Sequence, residues 1–511
     1  MPSTAPTSAI DPRTPVIIGV ARITGQRAAL PGKEPLQMWE DVARAAAGDA
    51  GLPPATLREL DAVLVTDCMS WRYDDPVMRL AQRLDASPNV REVSAPSGTA
   101  GQSMVNKLCK ALTSGEAEVG LICGAEALAT VRHFRMRGEA PDWSFPHPDG
   151  PQYAFDLDAH QHPGEAAIGL TEGVGAVYGF AMRDLARRAA RGTSPEAYRA
   201  ELGETLAGMT RVAARNPHAW FQAERTADEL VDAVPSNRMI AYPYAKSMVA
   251  IIDVDMAAGL LIATEGWANA HDIARENRVY PWTSCYAEDP VAIAVRKDLA
   301  RSPAMAAAAS ATLEAAGVTA ADIDHVDLYS CFTSAVNFGR DALGIGDRGG
   351  DAVTLTGGLP YGGGPGSSYM LTSITALAER LRADPDGKGL VSGVGMMMSN
   401  HVFAIYAAAP PPQDLRHIDQ AAIQRELDAI AQCPITDGAS GPARVVTYTV
   451  MHDRSGNPTH GAAICDLPDG SRCYARIRDP EILQRAEAEE IIGRDVQLVA
   501  EDIVSLIVKL N

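Results

Sequence analysis

The groups from which this chain could do chemistry lie in a few short stretches rather than in a metal or thiol cluster. Two are glycine-rich loops, residues 98–101 and 362–366, where bare backbone N–H groups could cradle an oxyanion. A third is Tyr329-Ser330-Cys331, which sets a phenol, a hydroxyl and a thiol on consecutive residues; Tyr361 stands just before the second glycine loop. A phenol with a pKa near about 10 donates a hydrogen bond well and accepts a proton poorly. Ser97 precedes the first loop, and its hydroxyl becomes a nucleophile only beside a base; otherwise it caps the helix that follows. His401 comes just ahead of an apolar strand, where it reads first as a structural histidine and second as a group that reaches a site. The eight cysteines include no C-x-x-C pair and have no His-rich partner segment, so neither a zinc site nor a disulfide framework is expected, and no metal. Cys123 falls inside an apolar strand, where a thiol is inert packing.

These stretches must be positioned by a large scaffold. A chain of 511 residues predicts about three to four domain-sized units. A net charge of −19 with 5% aromatic residues argues against nucleic acid as a partner. No apolar run reaches the roughly 20 residues needed to span a bilayer, and neither end carries a targeting signal, so a cytoplasmic location and no membrane partner are expected. The scaffold repeats itself. Residues 36–68 and 305–331 each read as an Ala-rich helix, a glycine just past its end (Gly51, Gly317), a polar turn and a short aliphatic strand. Ser302-Pro303 opens the second helix as an N-cap followed by proline. Residues 16–20, 119–123, 259–263 and 403–407 read as buried parallel strands, and 130–243 as an inserted subdomain, with 172–206 helical and 147–164 an ordered loop. A proline stop at 410–413 ends the α/β core; a polar helix over 417–432 and alternating strands with tight turns follow, as in a small barrel.

Four segments carry a resemblance to the thiolase superfamily, in its order: GTAGQSMVNKLCKALTSGEAEVGLICGAEAL from Gly98, VDMAAGLLIATE from Val254, VDLYSCFTSAVNF from Val326 and TGGLPYGGGPGSSY from Thr356. The phrases NPHAWF, NRMIAYPYAK and GGLPYGGGPG look more closely like bacterial thiolase-like proteins that are often labelled acetyl-CoA acetyltransferase and carry an additional C-terminal OB-like domain. The resemblance implies an α/β class fold: a duplicated five-layer αβαβα core with an inserted loop subdomain, plus a small C-terminal β-barrel. The expected division is 13–275 for the first half, with the loop subdomain at about 130–243, then 276–410 for the second half and 411–511 for the additional domain.

Position by position, the resemblance places the thiolase nucleophile on Gly98 and the activating histidine of the G-H-P loop on Gly364. The histidine of the H-D-C-F loop falls on Tyr329 and its aspartate on Ser330. The last loop appears as Ser392-Gly393-Val394-Gly395, keeping its glycines but no acid or base. A working thiolase is therefore not expected. The candidate catalytic residues are Tyr329, Ser330, Ser97 and His401, with Gly98, Gly101, Gly363, Gly364, Gly393 and Gly395 as backbone donors. Three readings follow: non-thiolytic C–C chemistry of retro-aldol type on an acyl-CoA thioester, a non-catalytic acyl-CoA or lipid binder or partner subunit, and an acyltransferase with a substitute nucleophile. No covalently bound cofactor is expected; a CoA thioester is the expected substrate, and the chain is expected as monomer or homodimer.

Overall fold

The computed structural model describes residues 10–147, 162–170, 175–413 and 415–511. Most of the loop read at 147–164 and the start of the helical stretch read from 172 lie outside them.

The first half supplies strands β1 (Pro15–Thr24), β2 (Ala62–Val65), β3 (Val90–Val93) and β4 (Val119–Ala127). The inserted segment adds β5 (Met239–Ala241) and β6 (Tyr244–Ala245), and β7 (Asp255–Thr264) returns to the core. The second half contributes β8 (Tyr280–Glu288), β9 (His325–Asp327), β10 (Lys388–Gly395) and β11 (Asn400–Ala407). Two core sheets result, ordered β1-β7-β4-β2-β3 and β8-β11-β10-β9.

Every residue of β2, β4 and β7 is buried, and the sides alternate. Val63, Val65, Leu121 and Cys123 pack with the outer helix Pro35–Asp49, while Ala62, Leu64 and Ile122 face the helix Ala100–Ser114. That helix and Tyr369–Ala383 lie between the two sheets, and Pro303–Ala316 with Thr333–Leu343 cover the outside of the second. Helix, sheet, helices, sheet, helices: this is a five-layer αβαβα sandwich. Gly51 and Gly317 both take left-handed φ, +74° and +66°, closing the two equivalent helices. Ser302 caps the second of these, its Oγ accepting from Met305 N at 3.0 Å.

Strand direction departs from expectation. β2 runs parallel to β3 and β4, but β7 is antiparallel to β1 and β4, and β11 to β10 and β8. Helices cover both faces of each sheet, so the strands read as unbroken apolar runs whatever their direction.

Past the proline stop, the helix Gln420–Asp428 leads to strands β12 (Gly441–His452), β13 (Pro458–Asp466), β14 (Arg472–Ile477), β15 (Asp495–Glu501) and β16 (Val504–Leu510). Their order β13-β14-β16-β15-β12, with β12 also pairing β13, closes a five-stranded barrel. β12 further pairs β5 through Met451 and Ala241, so the barrel sheet continues into the inserted segment. Docking is polar as well as apolar. The Arg472 guanidinium donates to the carbonyls of Ala294 (3.2 Å), Arg296 (2.5 Å) and Lys297 (3.1 Å), and Tyr474 donates to buried Glu165 at 2.9 Å. Arg188, buried on the core side, pairs with Glu490 of the tail.

Candidate functional site

Four loops converge where the two central helices begin. Residues 97–99 lead into Ala100–Ser114, and residues 356–368 lead into Tyr369–Ala383. The Tyr329 loop follows β9, and Gly393–Gly395 end β10. The meeting is tight. A Cβ on Gly98 would lie 2.0 Å from the Val394 carbonyl oxygen and 2.6 Å from the Tyr329 hydroxyl. The phenol therefore occupies the space into which a side chain at position 98 would project.

Tyr329 is held from both ends. Its N–H donates to Ser392 Oγ at 2.9 Å, and its ring meets Tyr369 edge-on at 5.4 Å. The residue is 7% exposed, and its phenol oxygen has no hydrogen-bond partner among the described residues. Burial, with Cys331 nearby, pushes its pKa far up, so it stays a neutral O–H donor at every working pH. Ser330 supports the loop: its Oγ accepts from Leu359 N at 3.1 Å. Tyr361 donates to the Ser247 carbonyl at 3.0 Å.

Ser97 sits beside this centre, its Oγ 2.5 Å from where a Cβ on Gly395 would be. That oxygen accepts from Thr99 N at 3.2 Å and shares a 2.8 Å hydrogen bond with Thr99 Oγ1, while Ser97 N donates to Ser367 Oγ at 3.1 Å. No base hydrogen-bonds it among the described residues, and the contacts are those of a loop hydroxyl. His401 belongs to a different cluster. It pairs across strands with Val394, yet its Nε2 lies 3.2 Å from Ser302 Oγ and 3.4 Å from Asp289, and Nδ1 has no partner. Serine and carboxylate on the same ring nitrogen is not a relay, which needs one on each. Burial lowers the His401 pKa, against the opposing pull of Asp289.

The glycines divide in role. The N–H groups of Gly362, Gly364 and Gly366 are engaged by the carbonyls of Gly358 (2.6 Å), Ile251 (2.9 Å) and Gly364 (2.8 Å). The expectation of a free N–H at Gly364 therefore fails, because this loop folds back on itself and on the segment before β7. Gly363 needs its bare backbone for another reason: φ is +110° and a Cβ would lie 2.4 Å from Met256 Sδ. Gly101 lets the central helices cross, since a Cβ there would lie 2.8 Å from Met370 Cβ, and Gly393 lies under Met370 Sδ. The thiols offer no substitute nucleophile here. Burial pushes Cys68, Cys123 and Cys331 far up, Cys109 up to about 12 and Cys285 up to about 11.

One acid escaped the sequence reading. Glu126, fully buried near the end of β4, accepts from Met69 N at 2.8 Å and Ser70 N at 3.0 Å, and its Oε1 is 3.0 Å from where a Cβ on Gly366 would be. The signal was present as a lone carboxylate in the apolar run VGLICGAEAL. Burial raises its pKa from 4.5 to about 7. A raised carboxyl stabilises the fold fully below the unfolded value and loses that contribution as pH rises from 4.5 to about 7. Glu126→Gln is therefore expected to flatten the decline in stability between pH 5 and 8, by about 3 kcal/mol, in urea titrations at each pH. A wild-type curve that does not fall relative to the variant would contradict this.

Comparison with known proteins agrees with the architecture. Residues 286–368 match the family model "Thiolase C-terminal domain-like", and residues 422–502 match "Thiolase-like protein type 1 additional C-terminal domain". Among curated proteins none matches the chain. The crystal structure of a monomeric SCP2-thiolase like protein type 1 from Mycobacterium smegmatis superposes with a TM-score of 0.84 at 28% identity, covering 98% of this chain and 99% of that one. Human mitochondrial 3-ketoacyl-CoA thiolase superposes at 0.55 with 15% identity, covering 78% and 100%. The Ltp2-ChsH2(DUF35) aldolase superposes at 0.55 with 19% identity, covering 77% and 98%. These last two share the fold. No helix among the described residues is long and apolar enough to cross a membrane. With the duplicated sandwich, the four loops at its centre and the added barrel all accounted for, the chain has the thiolase fold, and its second half and tail match thiolase-like family models.

Proposed function

We propose that the chain takes an acyl-CoA thioester at the Gly98–Tyr329 centre and acts on it without a covalent acyl-enzyme, by retro-aldol cleavage of a β-hydroxyacyl thioester. The observation that carries this reading is the Tyr329 hydroxyl standing 2.6 Å from the Cβ position of residue 98, at the mouth of a central helix. In such a cleavage the bond between Cα and Cβ breaks as the β-hydroxyl gives up its proton. The electron pair moves to the thioester as an enolate, and a neutral phenol O–H is suited to hold its oxygen. Glu126, beside Gly366 of the same set of loops and with a pKa of about 7, takes that proton in this reading and returns one to Cα, so that the enolate leaves as the shortened acyl thioester. The aldolase among the structural relatives supports this choice of reaction class.

Release of aldehyde or ketone from β-hydroxyacyl-CoA tests the reading. Tyr329→Phe is expected to lower turnover by about 10²- to 10³-fold, the usual cost of one oxyanion donor, with thioester affinity nearly unchanged. Iodoacetamide is expected to leave activity intact. Turnover undiminished in Tyr329→Phe, or lost on thiol alkylation, would sink the mechanism.

The depth at which Tyr329 is packed favours a second reading, a protein that binds the thioester without turning it over. Calorimetric binding of acyl-CoA with no product release selects it. No heat with any thioester removes both.

A further inference from the structure

At the opposite end of the helix Thr333–Leu343 from Tyr329, roughly 16 Å along its axis, lies a groove of about 650 Å³. Among the described residues lining it are four arginines, Arg187, Arg191, Arg301 and Arg340, against one acidic residue, Asp341. Ser302 and Ala306 bring in the first turn of the 14-residue helix Pro303–Ala316, whose N–H groups are already taken by Asp289 (from Ala304, 3.2 Å) and by the Ser302 cap, so the arginines and not the helix end make this groove positive. This concentration opposes the trend of the chain, in which 64 acidic residues face 45 basic ones.

The four arginines are not equally committed. Arg187 is held bidentately by Asp341 at 2.5 and 2.7 Å, and Arg191 by Glu201 at 2.7 Å. Arg301 is 86% exposed, with Asp298 at a loose 3.8 Å. Arg340 is 6% exposed and has no carboxylate partner; its Nη1 donates to Thr205 Oγ1 at 3.0 Å and Asn337 Oδ1 at 3.3 Å, while Nε is shut off from solvent without a partner. Burial and the adjacent Arg187 charge depress its pKa, the mark of a cation short of counter-charge. Just behind, Arg183 is wholly buried over the Phe338 ring that lines the groove, and its Nη1 is also unpartnered.

We propose that this groove is a binding site for a small phosphate-class polyanion, a diphosphate or a phosphorylated metabolite, held by Arg301 and Arg340. The planar fork of arginine matches phosphate oxygens two at a time, and a buried guanidinium without a carboxylate gains most from an arriving anion. The volume admits more than one inorganic ion and excludes no attached organic group.

Calorimetric titration of the full chain with inorganic pyrophosphate, at constant ionic strength, tests the site. Saturable one-to-one binding is expected. Arg301→Gln alters an exposed side chain and leaves the fold intact; it is expected to weaken that binding about 10-fold, the effect of one charge-assisted hydrogen bond. Arg340→Gln is expected to weaken it at least as much where circular dichroism shows a native fold. Arg58→Gln, on a distant exposed ion pair with Asp85, is expected to leave the affinity unchanged. Absence of saturable heat in the wild type, or equal affinity in Arg301→Gln, overturns the proposal. Neither outcome bears on the thioester centre, which is read by product release.

Discussion

Gly98→Cys, which restores the residue type a thiolase needs, is expected to yield no thiolase activity and to destabilise the fold by about 3 kcal/mol or more. Overpacking a tight site usually costs about 1–3 kcal/mol, and that range assumes side chains able to yield. Here the first obstacle is a backbone carbonyl, Val394 O, 2.0 Å from the new Cβ, and the second is the Tyr329 hydroxyl. Adding Tyr329→Ala removes the second obstacle and leaves the first, so partial recovery of stability is expected without acyl transfer. Urea denaturation of the three proteins, with a thiolysis assay on each, gives the measurement. A Gly98→Cys protein that is as stable as wild type, or that forms a thioester intermediate visible by mass spectrometry, would show the loop to be far more pliable than its packing.

Deleting residues 411–511 is expected to have the larger effect, loss of the folded core. Removing the tail strips the half-buried Glu490 from buried Arg188, and leaving that guanidinium without its partner costs up to about 3–5 kcal/mol, less what solvent at Glu490 already screens. It also bares Ile168, Leu170, Met182, Ile293 and Leu299, each about 1.5–3 kcal/mol when exposed. Together these are of the same order as the usual total stability of about 5–15 kcal/mol, enough to leave the core without a margin. The truncated chain is expected in the insoluble fraction on expression, and a soluble core with a cooperative melt would refute the estimate.

Much of the scaffold could be read from residue patterns because it depends on local rules. Gly51 and Gly317 end their helices as their type demands, Ser302 caps its helix, and the strands near residues 16, 119, 259 and 403 are apolar because both faces are covered. The same double coverage hid strand direction, and β15, with only two buried positions in DVQLVAE, gave too weak a pattern to find. The site divided along a similar line. Glycines at 98, 364, 393 and 395 marked the loops. What fills the centre depends on residues 98, 329 and 394 meeting in space, and no spacing along the chain encodes that contact. His401 illustrates the converse, being near Val394 in register and yet turned to Asp289 and Ser302. Glu126 was missed because β4 runs four residues beyond the apolar stretch that announced it.

The rung between β12 and β5 has a bearing on how the protein behaves in a dilute solution or a crowded cell. A separate subunit docked on the inserted segment would be present only in proportion to its concentration and affinity. A barrel tied by chain continuity and stitched into the same sheet is present at an effective concentration that dilution does not alter. Each core therefore carries one barrel, neither exchanging with a pool nor titrated by synthesis of a second chain. Whatever the barrel contributes to the centre at Gly98 and Tyr329 is constant from nanomolar assays to the cell.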